Sequence, residues 1–375
     1  MIEIVKLNLD SKTDVRDFIN FPFRLYKDNP LWVPPIRSDI KTMLNPAKHP
    51  FYEHSEAAFF VAREDGQVVG RLGVLENKPF NEYQNKKQAQ FYFFECIEAY
   101  EVAEKLFEAA SDWARARGLD SLVGEKGLSS FDGYGLLVEG FEYPPSMTMM
   151  KYNLPYYGEY MDRMGFTKEV DFITRYLNIK EFDIPERIHR ISARAMKRSN
   201  IRVIQFKTKK ELLTWARKIG EVYNDTFIDN WEYYPLTQNE LDFAINDALS
   251  VADPKLIKII ARGEEIIGFI LAFPDVSDSL RRANGRLLPW SIIDLLLEFK
   301  RTKLVAINGM GILPEYQGLG GNAMMYSELE KTIRDAGFDD ADLCQVAETA
   351  VMMSRDLTGM GGKPRKIHRV YTRAL

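Results

Sequence analysis

Glycine is concentrated at one point of the sequence, in the segment ILPEYQGLGGNAMM at residues 312–325. Pro314 turns the chain out of an apolar run, and Gly318, Gly320 and Gly321 come just before a helix-like sequence. Glycine lets the backbone wrap closely around a ligand, and the first N–H groups of a helix lack helical partners and carry partial positive charge. The segment therefore predicts a cradle of amides for a phosphate group, with a glycine-rich turn that binds nothing as the alternative.

Other reactive clusters are not evident in the sequence. The four histidines are scattered, and no spacing typical of a metal site or of a Ser/His/Asp or Cys/His group is present. With 375 residues and 46% hydrophobic content, the chain is expected to form about two folded domains rather than a disordered protein. The net charge of −4, with both signs interspersed, indicates no basic face for nucleic acid.

The cysteine content and the hydropathy of the sequence indicate the expected cellular compartment. Cys96 and Cys344 are too few for a disulfide framework, which predicts a reducing, cytoplasmic setting. The N-terminal sequence MIEIVKLNLDSK lacks the apolar core of a signal peptide. Apolar stretches such as 256–273 are interrupted by charges and do not reach the ~18–20 uncharged residues of a membrane span, so we expect none.

The elements that would position the glycine loop occur twice. The segment FFVAREDGQVVGRLGVL (59–75) and the segment IKIIARGEEIIGFILAF (257–273) each have two apolar runs around a charged turn, which predicts a β-hairpin. Gly70 and Gly268 hold the same place in the pattern. The chain therefore contains a repeat.

Two further correspondences extend the repeat. A helical stripe over 99–117 is followed by Gly118, a typical C-terminal cap, and by the strand-like LDSLV. The second stripe, Met325, Leu329 and Ile333, is followed by Gly337 and the strand-like ADLCQV. The segment MGFTKEVDFITRYL (164–177) corresponds in turn to MGGKPRKIHRVYTRAL (360–375).

We interpret the sequence as two copies of one α/β unit. The first copy occupies 1–180 and the second 181–375, with a linking helix at 184–198. The second copy has a longer excursion at about 274–303, and the first has an extra stretch at about 124–157. Segments of that stretch, GLSSFDGYG and YPPSMTMMKYNLPYY, either line an acceptor pocket or form a packed loop that seals the first copy.

The two copies differ at the proposed phosphate loop. Counted back from the capping glycines, the first copy has EAYEVA (98–103) where the second has the glycines. That segment has no glycine, and its two carboxylates would oppose a pyrophosphate. We therefore expect only the second copy to bind one.

The second copy resembles the GCN5-related N-acetyltransferase (GNAT) superfamily over 200–375. In that superfamily a strand is followed by Pro-x-x-Gln/Arg-x-x-Gly-x-Gly/Ala and a helix. Pro314, Gln317 and Gly320 fit this motif, whereas Asn322 occupies its last small position. The first copy resembles the same fold without the motif. The resemblance implies an α/β fold with mixed sheets, built as two tandem acyl-CoA N-acyltransferase (GNAT) folds, the first degenerate.

The resemblance also implies a cofactor, acetyl-CoA or another acyl-CoA. The strand before the loop would pair with pantetheine, and the amide of Met310 would donate to the thioester carbonyl; Gly309 and Gly311 suit a β-bulge there, and a bent strand without a catalytic role is the alternative. The residues expected to hold the cofactor are Met310, Ile312, Gln317, Gly318, Leu319, Gly320, Gly321 and Asn322. We expect Gly320→Asp to abolish this binding.

The catalytic groups are less clear from the sequence. A tyrosine acid common in the superfamily is replaced by Leu357, and an asparagine that often opens the same helix is replaced by Ala350. Glu348, which follows ADLCQV, is the candidate base; a solvated carboxylate near a helix N-terminus is the alternative. No metal is expected.

The function implied is acetyl transfer from acetyl-CoA to the amine of a small molecule, by direct attack in a ternary complex. Two alternatives stay open. The donor is a long-chain acyl-CoA, or the protein binds coenzyme A without turnover.

Overall fold

A computed structural model describes residues 1–147, 150–198 and 200–375 of the protein. Its contacts group the chain into two compact units. Unit 1 comprises Met1–Ile173, Ser277–Glu298 and Arg365–Leu375, and unit 2 comprises Thr174–Val276 and Phe299–Pro364. The division of the sequence into two continuous domains at residue 180 stays a prediction.

Unit 1 is a mixed α/β assembly. Its strands are β1 (Glu3–Lys6), β2 (Glu56–Glu64), β3 (Gln67–Glu76), β4 (Gln88–Cys96), β5 (Ser121–Gly124), β6 (Leu136–Glu139), the first part of β7 (Thr167–Asn178) and most of β13 (Lys363–Ala374). Its helices are α1 (Lys12–Leu25), α2 (Arg37–Met43), α3 (Lys78–Gln84), α4 (Tyr100–Arg115), α5 (Tyr156–Arg163), α9 (Ser277–Ala283) and most of α10 (Pro289–Arg301).

The sheet of unit 1 begins with the predicted hairpin. β2 and β3 are antiparallel and turn at Asp65 and Gly66, both with positive φ as a tight hairpin turn requires. β3 pairs antiparallel with β4, and β4 pairs parallel with β5. The crossover between the parallel strands is α4, whose apolar stripe, including Val102, Leu106 and Phe107, is fully buried.

Unit 2 repeats this arrangement. Its strands are the second part of β7, β8 (Ile201–Gln205), β9 (Lys258–Arg262), β10 (Glu265–Pro274), β11 (Leu304–Ile312) and β12 (Asp340–Ala347). Its helices are α6 (Glu186–Arg198), α7 (Lys209–Thr226), α8 (Gln238–Val251), α11 (Gly321–Asp335) and α12 (Val351–Gly359).

The second predicted hairpin is β9 with β10, and β11 follows antiparallel to β10. β11 and β12 are parallel and are connected by α11. Met325, Leu329 and Ile333 of α11 form the predicted stripe and are buried, and the helix ends just before Gly337, which has φ +76°. Both hairpins and both crossover helices of the sequence repeat are therefore confirmed.

The last strand has partners that the repeat did not indicate. Tyr371 in β13 pairs with Gly124 in β5, and His368 pairs with Leu137 in β6. The chain end is therefore built into unit 1, although its sequence corresponds to β7 at the end of the first copy.

Candidate active site

β11 contains the bulge that the sequence predicts. Ile270 pairs with Met310 whereas Ala272 pairs with Ile307, so Leu271 faces two residues of β11. One of them, Gly309, has φ +110°, a conformation that only glycine adopts readily. The predicted bulge is confirmed.

Gly311 has a different reason to be glycine. A Cβ at Gly311 would lie 2.7 Å from Thr226, the last residue of α7. The absence of a side chain therefore allows α7 to approach β11 closely, and it is not needed for the bulge.

β11 and β12 separate beyond the bulge. Their parallel ladder ends at the pair Ile307–Leu343, and residues 308–310 are only half-buried. Successive amides of a strand point to opposite edges, and the N–H of Leu313 donates to Ile267 of β10 at 2.9 Å. The N–H groups of Met310 and Ile312 consequently point away from β10, toward the gap between β11 and β12. This geometry supports the proposed pairing with pantetheine.

The loop after β11 is held by the side chain of Gln317. Its Nε2 donates to the carbonyl of Ile312 at 3.3 Å, after a 3-10 turn at Pro314–Tyr316. The side chain therefore ties the loop to the end of the strand, a role that the sequence did not indicate. Gln317 is itself exposed, with its backbone in an extended conformation.

The start of α11 is open to an anion. Gly318 and Gly320 have φ of +75° and +91°, and the exposed Leu319 lies between them. Gly320 is the N-cap and supplies no side chain, and the helical bonds begin when Met324 donates to the carbonyl of Gly320. The N–H groups of Gly321 and the next two residues therefore precede the helical ladder, and the first turn contains no carboxylate.

The three loop glycines are needed for different reasons. A Cβ at Gly320 would lie 3.0 Å from Ala195 and 3.1 Å from Ile191, both on α6, and one at Gly321 would lie 2.8 Å from Ile260. A Cβ at Gly318 would meet nothing within 4 Å. A substitution at Gly320 thus disturbs α6 as well as any ligand, whereas one at Gly318 tests the cradle more cleanly.

α6 packs along α11 beside this loop. Nδ1 of His189 lies 2.9 Å from Oγ of Ser327, and its Nε2 lies 3.5 Å from Glu330, one turn further along α11. Ile191 and Ala195 meet the start of α11 at Gly320. The predicted linking helix is therefore a wall of the site within unit 2.

The structure places the candidate base at the surface. Glu348 is exposed in the turn between β12 and α12, and its catalytic role stays a prediction. Leu357 is buried in α12, and Ala350 is the N-cap of that helix. Since neither can transfer a proton, the acid common in the superfamily has no counterpart at these positions.

Two tyrosines near the loop have defined partners. The hydroxyl of Tyr316 donates to Glu265 at 2.8 Å, and that carboxylate raises the pKa of the phenol. The hydroxyl of Tyr326 contacts Sδ of Met353 at 3.4 Å, which joins α11 to α12, and burial raises its pKa. Both therefore stay protonated at neutral pH and pack around the loop.

An acidic cleft of about 570 Å³ lies beside the loop in unit 2. Its charged lining residues are Lys218, Glu221, Asp225, Glu264, Glu265 and Glu315, and its apolar wall includes Val222, Ile228, Ile266, Leu313 and Pro314. Five carboxylates against one ammonium favour a cationic occupant. They come from α7, the hairpin turn and the loop, so no single sequence segment could indicate the cleft.

Other expectations concern metals and membranes. Within residues 1–147, 150–198 and 200–375, no group of three or more His, Cys, Asp or Glu side chains could hold a metal ion. In the same part of the chain, no helix is both long enough and apolar enough to cross a bilayer.

Known proteins resemble this chain over almost its full length. No protein-family model matches the chain. It is 27% identical over 374 residues to "Protein YghO" of Escherichia coli, covering 97% of this chain and 94% of that protein. It is 29% identical over 372 residues to "Bacterial ceramide synthase" of Caulobacter vibrioides, covering 96% and 95%.

A solved structure resembles the fold over its full length. It is a tandem GNAT protein from the clavulanic acid biosynthesis pathway, with a TM-score of 0.58 at 12% identity, covering 100% of this chain and 98% of that chain. The protein therefore has the GNAT fold in tandem, and the α/β fold class expected from the sequence is confirmed.

Proposed function

We propose that the protein is an acyl-CoA-dependent N-acyltransferase whose cofactor binds in unit 2. The amine of a small molecule attacks the thioester directly while both substrates are bound, and coenzyme A leaves as the thiol. An alkyl ammonium ion has a pKa of about 10, so the amine must lose a proton before it attacks.

One observation carries this proposal: three features that would suit an acyl-CoA converge on the end of β11. The bulge at Gly309 and the early end of the β11–β12 ladder direct the amides of Met310 and Ile312 into a gap. The uncapped start of α11 follows within the same loop. Pantetheine would pair with the strand, and the pyrophosphate would lie at Gly318, Leu319, Gly320, Gly321 and Asn322.

The acidic cleft supports an amine as the acceptor. An amine at neutral pH arrives as an ammonium ion, and the five carboxylates beside the loop attract it. Glu348 remains the proposed base, and the amide of Met310 the proposed donor to the developing oxyanion.

Two donors are candidates. Acetyl-CoA is the donor that the resemblance implies. Long-chain acyl-CoA is favoured by the 29% identity to a protein named a ceramide synthase. A ceramide is the amide of a fatty acid and a long-chain amino alcohol, and its synthesis is therefore also N-acylation. This relative is the observation that separates the two donors, and it supports the longer chain.

The experiment compares coenzyme A, acetyl-CoA and palmitoyl-CoA by calorimetry and thermal shift. A ligand at about 100 times its Kd raises stability by about 2.7 kcal/mol. Thiol release is then followed with acetyl-CoA and palmitoyl-CoA against long-chain amino alcohols and short polyamines. Amine-dependent release with either donor supports the proposal and identifies the chain length.

Two results would oppose it. If acyl-CoA binds but none of the amines releases thiol, the alternative of a non-catalytic coenzyme A-binding protein takes its place. If coenzyme A, acetyl-CoA and palmitoyl-CoA all fail to bind, the assignment of residues 318–322 as a phosphate cradle is wrong.

A further inference from the structure

α10 has its apolar residues on the outside. In and just before this helix, seven large apolar side chains are exposed: Leu287 (44%), Leu288 (37%), Trp290 (68%), Ile292 (45%), Ile293 (59%), Leu296 (60%) and Leu297 (41%). Isolated exposed apolar residues are ordinary, but a contiguous group of this size marks an interaction surface.

The inward face of α10 combines polar residues with the half-buried Leu295 and Phe299. Ser291 and Glu298 are buried, and Asp294 is half-buried. Arg282 of α9 donates to Asp294 at 2.8 Å through Nε and also pairs with Glu298. Both carboxylates of the helix thus pair with one guanidinium, away from the exposed apolar side chains. A surface helix ordinarily buries its apolar stripe, whereas α10 exposes most of its large apolar side chains.

The exposed arc of α10 also has a defined charge. At 100° per residue, the arc from Ile292 through Leu296 and Leu297 to Trp290 covers about half of the circumference. Lys300 falls within this arc at the end of the helix, and Arg286 is exposed just before its start. Neither Asp294 nor Glu298 lies in this arc, so the exposed face carries the cation of Lys300, and the exposed Arg286 lies in the chain just before the helix.

The segment is fixed in place within unit 1. The N–H of Arg37 donates to the carbonyl of Gly285 at 3.0 Å, and a Cβ at Gly285 would lie 2.5 Å from Phe23. At the start of α9, Oγ of Ser277 accepts from the N–H of Met147 at 2.9 Å. The apolar face is therefore a built feature of the fold and not a loose loop.

We propose that α10 docks the protein onto an anionic lipid surface. The helix would lie in the plane of the membrane interface, over a length of about 20 Å for its 13 residues. Its aliphatic side chains would enter the boundary of the acyl chains, Trp290 would lie at head-group level, and Arg286 and Lys300 would meet lipid phosphates.

This proposal does not rest on the N-acyltransferase function. It concerns the exposed face of α10, whose residues up to Glu298 belong to unit 1, whereas the proposed cofactor site lies at β11 and the start of α11. If both hold, the protein works where long-chain amines and acyl donors are dissolved in lipid. Vesicle binding can fail while thiol release succeeds, so the two proposals fail separately.

The test is sedimentation of the full chain with two kinds of vesicle. One contains phosphatidylcholine with about 30% phosphatidylglycerol, and the other contains phosphatidylcholine alone. We expect binding to the anionic vesicles, weakened by high salt, and a blue shift of Trp290 fluorescence that is absent in Trp290→Phe. The double variant Ile293→Ser/Leu296→Ser should bind at least about tenfold more weakly.

A matched control removes an exposed apolar side chain elsewhere. Leu213 on α7 is 55% exposed, and Leu213→Ser should bind vesicles as the parent protein does. Thermal melting of the double variant confirms that it folds. Absence of binding to anionic vesicles, or equal binding by the double variant, would overturn the proposal. A solution dimer that the double variant dissociates, without vesicle binding, would also overturn it by making this face a self-interface.

Discussion

The bulged strands β4 of the first copy and β11 of the second are equivalent, but their surroundings differ. In the first copy Gly70 pairs with Cys96, and in the second Gly268 pairs with Ile312, so Cys96 corresponds to Ile312 and Phe94 to Met310. The first copy keeps the bulge, with Phe93 at φ +57° where the second has Gly309. It also keeps the point at which the parallel ladder ends, at Phe91–Gly124.

In the first copy, the amides that face the gap between β4 and β5 are hydrogen-bonded to side chains. The N–H of Phe94 donates to Glu125 at 2.8 Å, and the N–H of Cys96 donates to the hydroxyl of Tyr157 at 2.9 Å. The hydroxyl of Tyr156 donates to the carbonyl of Cys96 at 2.7 Å. Side chains of the first copy therefore occupy the positions where pantetheine would pair in the second.

In the gap between β4 and β5 of the first copy, called here the first-copy gap, the charge of Glu125 is compensated by Lys151. Nζ of Lys151 lies 3.6 Å from Glu125 and 3.2 Å from the ring centre of Tyr92. Burial raises the pKa of Glu125, while Lys151 opposes that rise. The loop after β4 is also short, because α4 begins at Tyr100, only four residues after the strand. The comparison teaches that, in the first copy, the chain's own side chains fill the positions that the proposed cofactor would take in the second.

The largest expected effect comes from opening the first-copy gap. Glu125→Leu removes the acceptor of the Phe94 amide and the partner of Lys151, so it should lower the free energy of unfolding by about 3 kcal/mol. Glu125→Gln keeps an acceptor and should cost less. Cys344→Ala, at the corresponding place in the second copy, should cost about 1 kcal/mol. Urea unfolding measures all three, and a fully stable Glu125→Leu would contradict the sealed-gap account.

The next effect concerns the open cradle. Gly318→Asp places a carboxylate where the pyrophosphate is proposed to lie, and calorimetry should show about 100-fold weaker coenzyme A binding. Gly318→Asn is the matched control, because Asn and Asp both tolerate positive φ and differ in charge. Glu98→Gln in the first copy should leave binding unchanged. Equal affinities for the Asp and Asn variants would place the anion elsewhere.

A smaller loss of stability is expected from Tyr157, whose hydroxyl accepts a hydrogen bond at the end of β4. Tyr157→Phe leaves the buried amide of Cys96 without this acceptor and should cost about 1–2 kcal/mol in urea unfolding. Tyr156→Phe removes a bond to a carbonyl from a half-buried residue and should cost less. If the order were reversed, Tyr157 would not be the group that replaces pantetheine.

The last effect appears only at alkaline pH and contrasts Lys258 with Phe60, which holds the same place in the first copy. Burial lowers the pKa of Lys258 to about 8, although Glu328 and Asp253 partly compensate. The unfolded chain therefore binds more protons above that pH, and stability should rise between about pH 8 and pH 10.5. Lys258→Met should remove this rise in urea midpoints; an unchanged pH dependence would show that Lys258 is not the cause.

Much of the fold could be predicted because it is encoded locally. Alternating apolar residues around Asp65-Gly66 define one hairpin, and capping glycines such as Gly337 end both crossover helices. The bulge at Gly309 could be predicted for the same reason, because the positive φ of that one residue favours glycine.

The remaining features depend on contacts between distant segments. Tyr157 meets Cys96 across about sixty residues of chain, and the acidic cleft draws on three elements. Tyr156 and Tyr157 pack against β4, as the packed-loop alternative for 143–157 expects, while the acceptor-pocket alternative stays a prediction; Thr148 and Met149 lie outside the described residues. α10 was missed because its apolar stripe is typical of a buried helix, and only the structure shows that the stripe faces solvent.

The measurement that tests the central claim most directly is amide hydrogen exchange with and without coenzyme A. Without ligand, the amides of Phe94 and Cys96 should exchange slowly and those of Met310 and Ile312 quickly. Coenzyme A should then slow exchange over residues 309–324 and leave residues 92–103 unchanged. Protection of 92–103, or no change over 309–324, would contradict the assignment of the open copy as the cofactor site.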